Sequence, residues 1–497
     1  MKNVLEYLEA ASARYGSRPA FEDRDSVLTW GQVFGRAREI GTALSRICPA
    51  RSGVALCMPK GSRCIPVMLG ALYAGCYYTV LDPEMPRSRM QLILKVFGPQ
   101  AIVCGDREQA LFSGLEDTRV LTESGIGCDI DDGALAGIRR DMTDTDLCYV
   151  LFTSGSTGVP KGVSIMHRSV IDLVTWAVRE LKVDETFRFG NQAPLYFDNS
   201  VLDIYCAMQA GAAVHFIPKT LFLFPGKMMD YLEEHRINTL FWVPSALGRC
   251  ATSGAVRDGR PRSVKHVFFC GEVMPVRFLN IWRESLPNAD YVNMYGPTEI
   301  CDVCMYYRVD RDFQENEDLP IGFPCDNTRI LLLDGEICVG GTCLSAGYFG
   351  APEKTTAAFI QNPLNPHTME WIYKTGDLGR LNARGEMEFL GRRDSQIKRS
   401  GYRIELGEIE TALLSCAEIG AGCCVYDAKR EEIHCFYTGQ MDEKALKNHL
   451  KALVPKYMLP DRYHRLLEMP LNGSGKADRA ALKASLEEMI ETGITNG

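Results

Sequence analysis

Six consecutive small residues, Thr153, Ser154, Gly155, Ser156, Thr157 and Gly158, stand between an apolar run ending at Phe152 and the lysine at Lys161. The two glycines let the backbone turn sharply and present successive N–H groups toward one point. Four hydroxyls add donors around them, and Lys161 adds a compact positive charge. Such a set suits an anion with several oxygens, a polyphosphate above all. The spacing is not that of a P-loop, because Pro160 occupies the position before the lysine where that motif requires glycine. A Ser/Thr/Gly stretch on its own is more often a spacer, so the rest of the chain must decide.

A phosphate loop needs a strand to deliver it. LCYVLFT (147–153) is a short apolar run of that kind, and SGVALCMP (52–59), QAIVCG (100–105), AAVHFIP (212–218), NTLFWVP (238–244) and VKHVFFCG (264–271) repeat the form. Each is bounded by turn-forming residues, with helical periodicity such as MMDYLEEHR between them, which predicts βα units with strands buried on both faces. Around 329–349 the strand candidates RILLLD and EICVGG follow closely with little helix between them. From GRRDSQIKRSGYR (391–403) the chain turns polar before a new amphipathic helix begins at GEIETALLS. The expected fold is therefore α/β: a large N-terminal domain, 1–391, of βα sheets with a small β-rich subdomain, and a small C-terminal α+β domain, 392–497.

Composition narrows the function. The 497 residues are 46% hydrophobic and 24% charged, the balance of a globular chain with ample core. A net charge of -8 without long Lys/Arg runs argues against a nucleic-acid surface. MKNVLEYLEAASARYG reads as an amphipathic helix carrying Glu6 and Glu9 rather than a signal peptide. The longest apolar stretch, PVMLGALYAGCYYTVL (66–81), is too short for a membrane span. Nineteen cysteines without a secretory signal fit a cytoplasmic protein in which thiols act as buried hydrophobes. The one CxxC, Cys301 to Cys304, has no second ligand pair and reads as structural.

Further motifs give the loop its company. LTWGQV (28–33), YVLFTSGSTGVPKG (149–162), FDNS (197–200), NMYGPTE (293–299) and GEICVGGTCLSAGY (335–348) come first, in that order. YKTGDL (373–378), GRRDSQIKRSGYRIELGEIE (391–410), VPKYMLP (454–460) and GSGKADR (473–479) follow. This series resembles the adenylate-forming superfamily, specifically the standalone amino-acid adenylation domains of nonribosomal peptide synthetases and the D-alanine–carrier protein ligases. The resemblance implies an AMP-forming ligase that uses ATP and Mg²⁺. An amino acid is first activated as its adenylate. A phosphopantetheine thiol on a separate carrier protein then attacks that adenylate, since no carrier motif follows in the sequence. Neither nucleic acid nor a membrane span is expected.

The resemblance also assigns residues. Thr153, Ser154, Gly155, Ser156, Thr157, Gly158 and Lys161 would wrap phosphates, with Gly271, Glu272, Asn293 and Gly296 also in the ATP site. Tyr295 would stack on adenine, and Thr298 would donate to the α-phosphate. Glu299 would hold Mg²⁺, a task suited to a hard carboxylate oxygen. Asp377 would accept the ribose hydroxyls, with Arg392 assisting. Lys476 would bridge the substrate carboxylate and the α-phosphate as charge develops. Asp394 would be the hinge about which the C-terminal domain rotates. Two departures affect loop positions without removing a charge: Ser474-Gly475-Lys476 replaces the family's Asn-Gly-Lys, and Arg399-Ser400-Gly401 replaces its Arg-Gly.

Within FDNS, Asp198 would pair with a substrate α-ammonium, whereas an acid in that place can equally cap a helix. The pocket positions by motif offset are Asn199, Leu202, Phe241, Phe268, Cys270, Met294, Asp302 and Val303. Bulky phenylalanines and Met294 favour a small substrate side chain, and FFCGEVMP is most like the D-alanine ligases. Asp302 fits alanine poorly and leaves serine, a diamino acid or an amine-bearing aromatic acid open. The rival readings are an acyl- or aryl-CoA ligase using free coenzyme A, against which Asp198 speaks, and a silent scaffold, against which Lys476, Glu299 and Asp377 speak.

Overall fold

The computed structural model describes residues 1–115, 118–155, 159–472 and 477–492. It divides into two compact units. The first comprises Met1–Pro83, Phe97–Phe152 and Gly162–Arg393, and the second Glu84–Val96, Thr153–Lys161 and Asp394–Gly497.

A nine-stranded sheet dominates the first unit. Its central strands Asp290–Tyr295, His266–Phe269, Thr239–Trp242, Arg188–Asn191, Ala213–Phe216 and Pro19–Glu22 all run parallel, with antiparallel strands only toward the edges. Parallel strands buried on both faces must be apolar at every position, yet their side chains still alternate. One face takes Phe216, Phe241, Phe268, Cys270, Val292 and Met294 into the same cluster as the helix Asn199–Ala210. The opposite face takes Leu240, Trp242, Val267 and Phe269, packed with residues of the helices Pro225–Glu234, Pro244–Thr252 and Val276–Ser285. The two periods of the sequence thus sort a continuous apolar run into two separate cores.

The helix Asn199–Ala210 is buried from Ser200 to Met208. Asp198 starts it by accepting the Asn199 N–H at 3.0 Å, and Gly211 ends it at a φ of 71°, a left-handed cap that glycine adopts without strain. A six-stranded sheet, with Leu147–Thr153 and Lys161–Met166 at one side, and a five-stranded antiparallel sheet built around Trp371–Leu381 complete the larger fold. The second unit carries the hairpin Gln396–Arg399 with Tyr402–Glu405, and the sheet Ile419–Asp427, Glu432–Gly439 and Arg462–Leu466. The helix Leu406–Leu414 contributes Leu406, Ile409 and Leu413 to its core beside Cys424, Ile433 and Cys435. Among the described residues no helix is long and apolar enough to cross a membrane.

Candidate active site

In the first unit the sheet hands its strand ends to a cluster of acids and aromatics. The strand Asp290–Tyr295 delivers Asn293, Met294 and Tyr295, and the turn Thr298–Ile300 follows at once. Tyr295 is buried, and its hydroxyl donates to Asp377 Oδ2 at 2.6 Å. Burial and the neighbouring carboxylate push the Tyr295 hydroxyl far above its ordinary pKa, so it stays a donor. Asp377 and Arg392 are register partners on adjacent strands, and the Arg392 guanidinium donates to Asp377 Oδ1. A hydroxyl and a guanidinium thus hold the expected ribose acceptor in one orientation.

Glu299 is fully buried and accepts the Tyr348 hydroxyl at 2.9 Å. Tyr348 closes the run GEICVGGTCLSAGY, and it is the fold that brings its hydroxyl to the carboxylate. Thr298 is buried beside Glu299 in the same turn. Glu272 accepts the Ser245 N–H at 2.9 Å, at the start of the helix Pro244–Thr252, and Asn293 donates to the Pro320 carbonyl at 2.8 Å. Both make structural contacts within their own unit.

The chain directly after Glu299 is strained. Cys301 and Asp302 have φ of 62° and 80°, left-handed values at two successive non-glycine residues. Each such residue costs on the order of 1–3 kcal/mol and persists only where its surroundings over-determine it. One determinant is Gly296, where a Cβ would lie 2.0 Å from the Asp302 carbonyl oxygen. Only glycine permits that approach, which links the NMYGPTE loop to the position of Asp302. Cys301 and Cys304 are buried thiols, with Cys301 Sγ at 3.6 Å from the Tyr149 hydroxyl.

The expected pocket residues Leu202, Phe241, Phe268, Cys270, Met294 and Val303 fall in one apolar cluster. Phe241 and Phe268 are register partners on neighbouring strands, so their rings point to the same face. Asn199 meets Gly271 closely: a Cβ there would be 3.9 Å from Asn199 Nδ2. Asp198 is half-buried at the start of the helix Asn199–Ala210, which joins that cluster through Leu202, and Asp302 is buried at 1% exposure.

The described part of the phosphate loop belongs to the second unit, where its donors meet carboxylates that the sequence reading missed. Gly155 N–H donates to Glu408 Oε2 at 3.1 Å. Lys161 Nζ lies 3.6 Å from Glu405 Oε1. Ser154 Oγ donates to the Arg403 carbonyl at 2.9 Å and accepts the Glu405 N–H at 3.2 Å. Glu408 also pairs with Arg89, and burial raises its carboxyl pKa. Two donors of the loop, the Gly155 N–H and the Lys161 ammonium, thus face carboxylate oxygens. Thr153 is buried in the same segment. Ser156, Thr157, Gly158 and Lys476 lie outside the described residues, while Asp394 accepts the Gln396 N–H at 3.1 Å in the loop between the two units.

The sequence matches the family described as AMP-binding enzyme over residues 8–349, more than half of the chain. The chain belongs to that family. Among similar proteins, an L-proline--[L-prolyl-carrier protein] ligase of Streptomyces coelicolor is 32% identical, over 96% of this chain and 95% of the relative. A protein of the same name from Pseudomonas fluorescens is 30% identical over 98% of this chain and 100% of its own. The fold of this AMP-binding enzyme is that of the Vibrio cholerae adenylation domain AlmE, solved in complex with glycyl-adenosine-5'-phosphate. That structure matches with a TM-score of 0.84 over 98% of both chains at 19% identity.

Proposed function

We propose that the protein activates an amino acid with ATP and loads it onto the phosphopantetheine thiol of a separate carrier protein. The observation that carries this reading is Asp198, a carboxylate at the head of a buried helix whose next residues run into an otherwise apolar pocket row. One Asp198 oxygen caps the helix at 3.0 Å. A carboxylate has about four lone-pair sites, so capping and holding a substrate ammonium are compatible. Both relatives named above are L-proline--[L-prolyl-carrier protein] ligases of matching length, which supports the carrier-protein step.

In the first step a substrate carboxylate oxygen attacks the α-phosphorus and pyrophosphate leaves. Lys476 and Thr298 neutralise charge growing on the α-phosphate. Asp377, held by Tyr295 and Arg392, accepts the ribose hydroxyls, the Gly155 N–H and the Lys161 ammonium exchange their glutamate partners for phosphate oxygens, and the Ser154 hydroxyl exchanges the Arg403 carbonyl for one. The donor set fits Mg²⁺: such an ion takes one or two carboxylates and completes its shell with phosphate and water, and Glu299 supplies one carboxylate. Bound there, the ion would supply charge neutralisation of the phosphates. In the second step the carrier thiol attacks the acyl carbonyl, the thioester forms and AMP leaves, with rotation about Asp394 separating the two steps.

Phe241, Phe268 and Met294 fill pocket volume and select a small side chain. Asp302, the acid among the pocket positions by motif offset, selects a second hydrogen-bond donor on it. ATP–pyrophosphate exchange across D- and L-amino acids, β-amino acids, diamino acids and aminobenzoates tests both statements. A dominant response to D-alanine removes Asp302 from selection. A response to serine or a diamino acid makes it the selector, and no response to any amine-bearing acid overturns the reading.

A further inference from the structure

Outside the residues given roles above, the first unit holds a buried charged cluster centred on Asn191. Lys60, in the loop after the strand Gly53–Cys57, donates its ammonium to the carbonyls of Asn191 and Gln192, each at 3.0 Å. Asn191 Nδ2 donates to Asp203 Oδ2 at 2.8 Å. Asp203 is fully buried on the helix Asn199–Ala210, and its other oxygen has no hydrogen-bond partner among the described residues. Burial pushes the Lys60 ammonium down to about 7 and the Asp203 carboxyl up to about 7.

Asn191 is also the register partner of Phe241 and of Phe216, so it stands in the row of side chains that floors the pocket. Asp203 follows Leu202 directly and lies four residues, about one helical turn, beyond Asn199. One residue therefore ties three parts together: the loop carrying Lys60 through its carbonyl, the helix through its amide, and the pocket floor through its strand. Asn191 stands between Lys60 and Asp203 and joins them through its carbonyl and its amide. Such a buried polar network gives little stability that apolar packing would not also give, whereas it does fix one arrangement of its surroundings.

We propose that Lys60, Asn191 and Asp203 are positioning residues for the amino-acid pocket. Their cluster fixes the rotation and axial position of the helix Asn199–Ala210 against the strand row, and so places Asp198, Asn199 and Leu202. This rests on reading Asp198 as the ammonium partner.

The test uses the full chain with Asp203→Asn, Lys60→Met and Asn191→Ser, beside Asp198→Ala. The first readout is pyrophosphate exchange with the twenty proteinogenic L-amino acids and D-alanine, with KM measured on the strongest responder. A small displacement of a binding group is costly, so each cluster variant should raise the amino-acid KM by about tenfold or more and leave the ATP KM within about twofold. The second readout is backbone amide exchange, which needs no substrate and works on any variant that folds. The first turn of the helix Asn199–Ala210 should exchange faster, while the helix Val276–Ser285 on the opposite face is unchanged. Equal acceleration of both helices, or both KM values rising together, reduces the cluster to general stability and overturns the proposal. Unchanged KM and unchanged first-turn exchange in folded Asp203→Asn and Asn191→Ser overturn it as well. If Asp198→Ala leaves the amino-acid KM unaltered, the ammonium reading fails and the claim that the cluster acts through Asp198 fails with it. If only Asp198→Ala raises KM, the ammonium reading stands and the cluster proposal alone fails.

Discussion

The pocket row and the phosphate loop are made of different parts of the polypeptide. The row consists of side chains: Phe241, Phe268 and Met294 project from strands whose register fixes which side chains are neighbours, and Cys270 follows the strand His266–Phe269 directly. The loop is mostly backbone and hydroxyl, and the donors that matter are the Gly155 N–H, the Ser154 hydroxyl and the Lys161 ammonium. A surface of side chains discriminates, because changing one residue changes shape and polarity. A surface of backbone N–H groups binds any anion of the right spacing, glutamate included. Selectivity for the acid should therefore reside in the first region, and the shared phosphate chemistry in the second.

Substitutions can break that division, and Lys476→Ala has the largest expected effect. With Lys476 in the proposed role of neutralising developing phosphate charge, its loss should cut amino-acid-dependent exchange on the order of a thousandfold. Aminoacyl transfer from synthetic aminoacyl-adenylate to a carrier protein should persist; equal loss in both assays would remove Lys476 from the first step. Asp198→Ala comes next. Removing one partner of a charge-assisted contact should raise the amino-acid KM by about a hundredfold with the ATP KM unchanged, in steady-state exchange kinetics. Phe268→Ala should shift preference by about tenfold toward larger side chains, read as a ratio of kcat/KM values across aliphatic amino acids. The smallest effect belongs to the loop. Glu405→Gln removes the carboxylate charge that lies 3.6 Å from the Lys161 ammonium and should lower the ATP KM by about threefold without altering amino-acid preference. A change in amino-acid preference there would break the division.

Much of this architecture was legible in the sequence, for physical reasons. Short apolar runs bounded by Gly, Pro or Thr became strands because the parallel sheet buries both faces and demands an apolar residue at each position. The helix after FDNS was marked by Asp198, an acid where a helix cap belongs. What stayed hidden depends on long-range pairing. Lys60 and Asp203 lie far apart in sequence, and each alone reads as an ordinary charge. Tyr348 reaches Glu299 across 49 residues, and Glu408 reaches Gly155 across 253. The left-handed backbone at Cys301 and Asp302 was invisible too, since neither residue announces that conformation as glycine would.

An ammonium held by Asp198 should decide which acid this AMP-binding enzyme selects. The most direct measurement is ATP–pyrophosphate exchange with the best amino-acid substrate beside the same acid lacking its amine, for the unaltered chain and for Asp198→Ala. Strong exchange with the amine-bearing acid alone, lost in Asp198→Ala, is the predicted result. Equal exchange with the amine-free acid, unaffected by Asp198→Ala, would contradict the account and favour an acyl- or aryl-acid ligase.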